Sequence, residues 1–143
     1  MRYYEDFKVH QKLVTRGRTI TEADIVNFAA FSGDWYPLHT DAEYAKKTPF
    51  GERVAHGMLT LAASTGLVPL YDMAIVALYG MDKIRFMKPT KIGDTIHVEQ
   101  EIIELQDKGD NGVVSTMWHI KNHSGEDMAN LIVKFLIAKA PTK

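Results

Sequence analysis

His56-Gly57-Met58-Leu59-Thr60-Leu61-Ala62-Ala63-Ser64-Thr65-Gly66-Leu67-Val68-Pro69-Leu70 runs for fifteen residues without an Asp, Glu, Lys or Arg. On a helix over residues 56–70, Met58, Leu59, Leu61, Ala62, Leu67 and Val68 leave hardly any polar face, which predicts burial nearly all round. Ala62, Ala63, Ser64 and Gly66 are small enough to let a sheet or another helix come close. A helix buried on every side needs something to wrap it.

The second half of the chain supplies the wrapping. Residues 84–87, 95–105, 113–122 and 128–138 are rich in β-branched and aromatic side chains. Turn-forming stretches separate them: Lys91-Ile92-Gly93-Asp94, Lys108-Gly109-Asp110-Asn111-Gly112 and Asn122-His123-Ser124-Gly125. Short loops between long strands favour antiparallel hairpins. Upstream, residues 13–20 read as extended. Thr21 is a good N-cap with Glu22 and Asp24 in the first turn after it, and Ile25, Phe28 and Ala29 follow at helical spacing up to Gly33. Thr40 is the expected cap of a short helix over 41–47, ended by Thr48-Pro49-Phe50-Gly51. Helices early and strands late predict a single α+β domain over 1–143, with a curved antiparallel sheet around one long apolar helix.

Bulk composition narrows the function classes. The chain has 143 residues, 45% hydrophobic and 24% charged, an ordinary globular balance with length enough for a real core. A formal net charge of −1 argues against a nucleic-acid binder, which would carry a basic excess. With no cysteine there is no disulfide, thiolate metal site or Cys nucleophile, and the expected setting is a reducing cytoplasm. Residues 1–6 lack the apolar core of a signal peptide. Between Met58 and Met81 only Asp72 is charged, a length that could cross a bilayer, but Ser64, Thr65, Gly66, Pro69 and Gly80 punctuate it and argue against a span.

Two loops carry the chemistry. In Phe31-Ser32-Gly33-Asp34-Trp35-Tyr36-Pro37-Leu38-His39, a carboxylate and an imidazole stand five residues apart. Gly33 permits a turn that a Cβ would hinder, and Pro37 turns Tyr36 away from helical geometry, so an ordered, non-helical loop is expected. An acid and an imidazole held this way can share the proton transfers of one reaction. The competing reading makes Asp34 a turn former bonded to its own backbone and His39 a structural residue. In the second loop, Phe50-Gly51-Glu52-Arg53-Val54-Ala55-His56-Gly57-Met58-Leu59, a glycine sits where the long helix starts. Unpaired N–H groups there attract an oxyanion, and Gly57 would let a carbonyl approach, while His56 either lines the site or bonds the loop.

These segments, together with Arg85-Phe86-Met87-Lys88-Pro89 and Gly93-Asp94-Thr95, resemble the MaoC-like dehydratase family, which includes the (R)-specific enoyl-CoA hydratases. The match in order and spacing runs from about Tyr3 to Ala138. The resemblance implies a hot-dog fold and a homodimer, or a higher homo-oligomer, whose sheets join edge to edge. It implies Asp34 and His39 as the acid/base pair and the Gly57 N–H as donor to the thioester oxygen, with His56 beside it. It also implies a helix hydroxyl near the catalytic groups, on Thr65 or alternatively Ser64. Where the family motif has Asn, this chain has Tyr36, which reshapes the acyl pocket.

The implied reaction adds water across a trans-2-enoyl thioester, with coenzyme A present only as part of the substrate and neither metal nor redox cofactor. An acyl-carrier protein is the alternative carrier. Arg53, Arg85, Lys88 and Lys91 are candidates for its phosphates. A metal set of Asp34, His39 and Asp41 has no standard spacing behind it. The rival functions are a hot-dog thioesterase and a non-catalytic acyl-thioester binding subunit. Neither nucleic acid nor membrane is an expected partner.

Overall fold

In the computed structural model, which describes residues 1–142, four long elements make the scaffold. They are β3 (Ile75–Phe86), β4 (Thr95–Asp107), β5 (Asn111–Asn122) and β6 (Asp127–Ala138). Short strands β1 (Lys12–Val14) and β2 (Arg18–Thr19) both pair with β4, and the antiparallel order is β1-β4-β5-β6-β3. Helices α1 (Glu22–Ser32), α2 (Pro37–Thr40), α3 (Ala42–Lys46) and α4 (Gly57–Thr65) precede the long strands. One face of the sheet buries Ile96, Val98, Ile102, Val114, Trp118, Ile120, Leu131, Val133, Phe135 and Ile137 in a single cluster with Leu59, Leu61 and Ala63 of α4. This is the hot-dog arrangement: a central helix against a curved antiparallel sheet.

Alternation over residues 95–102 of β4 and 129–138 of β6 explains why those strands are readable: there every second residue is buried. The stretch 13–20 is not one strand. Thr15 leaves the line and its Oγ1 accepts the Val98 N–H at 2.9 Å, taking a place in the ladder that a backbone carbonyl would otherwise fill. Strand β3 is three times longer than residues 84–87 suggested. It carries bulges between Ile75 and Ala77, Leu78 and Gly80, and Asp82 and Arg85, which break the alternation a sequence reading depends on.

Helix α4 is shorter than 56–70 and is not buried all round. It ends at Thr65, and Met58, Ala62 and Thr65 lie along an exposed stripe, with Met58 at 63%. The cap of α3 is Asp41 rather than Thr40, since Asp41 Oδ1 accepts the Glu43 and Tyr44 N–H groups at 2.9 and 3.0 Å. Thr40 instead donates back to the Trp35 carbonyl.

Thr21 caps α1 as expected. Its Oγ1 accepts the Asp24 N–H, while the Asp24 carboxylate accepts the Thr21 N–H at 2.9 Å and the Arg18 guanidinium at 2.8 Å. Burial pushes the Asp24 carboxyl up, but the Thr21 amide and Arg18 outweigh it and hold it below the usual carboxylate range. A lowered folded pKa gives stability that is present above the unfolded value and lost as pH falls through the folded one. Asp24→Asn should therefore lower stability at neutral pH by about 0.5–1 kcal/mol. Thermal melts should show the gap from wild type closing as pH falls below the usual carboxylate range.

Candidate active site

The first catalytic candidate is delivered by the end of α1. Gly33 adopts φ 77°, a left-handed conformation that a β-carbon disfavours, and its N–H bonds the Ala29 carbonyl at 2.9 Å. Asp34 follows immediately. Its N–H reaches Ser32 Oγ at 3.1 Å, and its Oδ1 accepts the Tyr36 N–H at 3.1 Å. The turn-former reading of Asp34 thus holds for one carboxylate oxygen.

Pro37 opens α2, so His39 lies on one helical turn rather than in the non-helical loop expected for it. Tyr36, just before, is extended in ψ as the proline demands. His39 Nδ1 lies 2.7 Å from the Val54 carbonyl. A carbonyl only accepts, so Nδ1 carries the hydrogen and Nε2 keeps a free lone pair. That is the tautomer a general base requires.

His56 N-caps α4 by its backbone, with its ring stacked on His39 at 3.9 Å between centroids and 27° between planes. Its Nε2–H donates to the Asp34 carbonyl at 2.9 Å. One carboxylate oxygen of Asp34, one ring nitrogen of His39 and one of His56 all lie within 4.8 Å of each other. Two hydrogen bonds of ordinary length meeting at one water span about 4.6 Å, so groups at such a spacing can share a single water.

These same groups lie close enough to one another to meet at one ion, with one nitrogen of each imidazole spent on the fold. Nδ1 of His39 and Nε2 of His56 are already bonded to carbonyls. Asp41, the third member of the sequence-derived set, serves as a helix cap instead.

An open cleft of about 620 Å³ adjoins His39, with Leu38, His39, Gly57, Met58, Phe86 and Met128 among its walls, while Asp34 is not one of its lining residues. Gly57 is the first residue of α4, where an N–H has no intrahelical acceptor. A Cβ there would sit 2.9 Å from the Phe86 ring, so that close approach needs glycine. Thr60 also lines the cleft and donates to Thr90 Oγ1 at 3.0 Å, a contact without a signature in the sequence.

The other expected residues are placed differently. Thr65 is exposed, outside the cleft, and donates its hydroxyl to the Ala62 carbonyl at 2.6 Å. Ser64, the alternative, is buried and bonds the Thr60 carbonyl. Tyr36 stands outside the lining with its hydroxyl 3.2 Å from that of Tyr44, and this bond holds the Tyr44 phenol above its ordinary pKa. Among the basic candidates, Arg53 pairs with Glu22 at 2.6 Å, Lys91 with Glu52 at 3.6 Å and Lys88 with Glu126. Arg85, which is exposed, forms no ion pair among the described residues.

The family model described as MaoC like domain matches residues 6–122. The chain belongs to the MaoC-like family. This MaoC-like domain is 46% identical over 98 residues to Protein MaoC of Klebsiella aerogenes, covering 68% of this chain but 29% of that protein's length. Among solved structures it is similar to a monoamine oxidase regulatory protein from Archaeoglobus fulgius, with TM-score 0.93 and 38% identity over 98% of this chain and 96% of the other. It is also similar to an R-hydratase from Pseudomonas aeruginosa, with TM-score 0.80 and 31% identity over 96% and 86% of the two chains. No helix of the described MaoC-like domain is long and apolar enough to cross a membrane.

Proposed function

We propose that this protein reversibly hydrates trans-2-enoyl thioesters to (R)-3-hydroxyacyl thioesters, with coenzyme A as the carrier and a homodimer in the cytoplasm as the working form. The observation that carries this reading is the Asp34 carboxylate within 4.8 Å of the His39 ring, at the edge of an apolar cleft that also holds Gly57. The R-configuration rests on family membership and on the similarity to an R-hydratase.

In this mechanism Asp34 and His39 hold one water between them. His39 Nε2, bare because Nδ1–H is committed to Val54, takes the proton as oxygen attacks Cβ. The pair returns a proton to Cα on the same face, giving syn addition. Negative charge gathering on the thioester oxygen meets the Gly57 N–H and the positive end of α4; a donor of this kind is worth about 3–4 kcal/mol in the transition state. Neither metal nor redox group enters any step. The acyl chain would lie against Leu38, Met58, Phe86 and Met128, and of the four basic candidates Arg85 is the one without an ion pair among the described residues, free to meet a phosphate.

Incubation with crotonyl-CoA tests the reading. Loss of enoyl absorbance without free thiol is the expected result. Release of thiol would make the protein a thioesterase, and no change at all would leave it a binding subunit.

A further inference from the structure

His56 combines features that neither packing nor substrate contact accounts for. It is 2% exposed and does not line the cleft. Its ring is held between His39 at 3.9 Å and Phe28 at 4.9 Å. Yet its Nδ1 is buried without a partner among the described residues. Such an orphaned nitrogen is destabilising, and a phenyl ring would fill the same slot without it. What a phenyl cannot do is donate to the Asp34 carbonyl.

That bond has a particular place in the fold. Asp34 is exposed, just beyond a left-handed glycine, and its other bonds, to Ser32 Oγ and the Tyr36 N–H, stay inside its own loop. His39 is held by the Val54 carbonyl, two residues before His56. The intervening Ala55 N–H is fixed to the Thr90 carbonyl at 2.7 Å on the cleft wall. One three-residue segment therefore grips both reacting residues, Asp34 by its backbone carbonyl through His56 and His39 by its ring through the Val54 carbonyl.

We propose that His56 is a positioning residue: the bond from its Nε2–H to the Asp34 carbonyl sets the Asp34 carboxylate at water-bridging distance from His39. The carbonyl accepts the Nε2–H and so fixes the orientation of the ring beside His39. The effect on turnover rests on the hydratase reading; the effect on the loop does not.

Two variants separate the bond from the ring. His56→Phe keeps the stacked ring and loses the donor, while His56→Gln loses the ring and keeps an amide N–H at about the same reach. In His56→Phe, kcat should fall by about tenfold or more with KM within about threefold, because misplacement of a reacting group costs turnover rather than binding. Hydrogen exchange at the amides of residues 34–36 should rise by about tenfold in the same variant, with the melting temperature within a few degrees of wild type. His56→Gln should return both readouts to within about threefold of wild type. Unchanged exchange and kcat in His56→Phe overturn the proposal. So does a collapse of the melting temperature in both variants, which would make His56 an ordinary core residue. Should the wild type hydrate no enoyl-CoA, the hydratase reading fails while the exchange measurement still decides the role of His56.

Discussion

Asp34→Asn and His39→Asn each lower crotonyl-CoA hydration by about 10²–10⁴-fold, the usual worth of a positioned acid or base, while the melting temperature moves little. Both variants keep the local bonds. In Asp34→Asn the side-chain amide oxygen still accepts the Tyr36 N–H. In His39→Asn the side-chain amide N–H stands near where the imidazole Nδ1–H meets the Val54 carbonyl. What disappears is the ionisable oxygen in one case and the free Nε2 lone pair in the other. The two groups act on one water, so the double variant should lose little more than either single one. Activity near wild type in both single variants would reject the assignment and leave Asp34 as a turn former.

The second large effect concerns the outer edge of the sheet. Strand β3 pairs with β6 on one side only, leaving the other side of a twelve-residue strand unpaired within the described chain. Val76, Leu78, Tyr79 and Phe86 are each more than half exposed along it, next to Met58 on the bare stripe of α4. A long apolar edge of this kind invites strand addition by a second copy, and a two-fold axis would set like residues against each other. Val76→Glu with Leu78→Glu puts carboxylates into that seam. Truncating a central apolar contact commonly costs about 2 kcal/mol or more, so dimer dissociation should be at least about thirtyfold easier, read by analytical ultracentrifugation. Met58 and Phe86 border both the bare surface and the cleft, so activity should fall with dissociation. An unaltered dimer would place the contact elsewhere.

The fold was legible where the chain packs against itself. Strands β4, β5 and β6 begin and end within two residues of their sequence-derived bounds because alternate side chains enter one core. Legibility failed where a second surface is apolar. Most of β3 was missed, since Ile75-Val76-Ala77-Leu78 is hydrophobic on both faces and shows no period of two. For the same reason α4 looked fully buried: hydrophobicity does not say which molecule does the covering. At the candidate site, Asp34, His39 and Gly57 stand out in the sequence because side-chain type and turn chemistry are written there. The Val54 carbonyl that fixes the His39 tautomer could not, since every residue has a carbonyl and only tertiary structure aims it. The helix hydroxyl taken from family resemblance fell on Thr65, whose oxygen turns back onto its own helix.

The paired phenols of Tyr36 and Tyr44 give the molecule an alkaline weak point. Hydrogen bonding by Tyr36, its charge and then burial each raise the Tyr44 pKa, so whatever the bond contributes is present below the unfolded phenol value and vanishes as pH climbs through the folded one. Difference absorbance at the phenolate band should place Tyr44 among the late-ionising tyrosines together with Tyr4, whose phenol burial also raises, and loosening of the Asp34 loop should track the Tyr44 part of that curve. Tyr44→Phe should remove that part of the absorbance and the loosening together, showing that the substituted motif position is braced from α3 by a group that fails only in base.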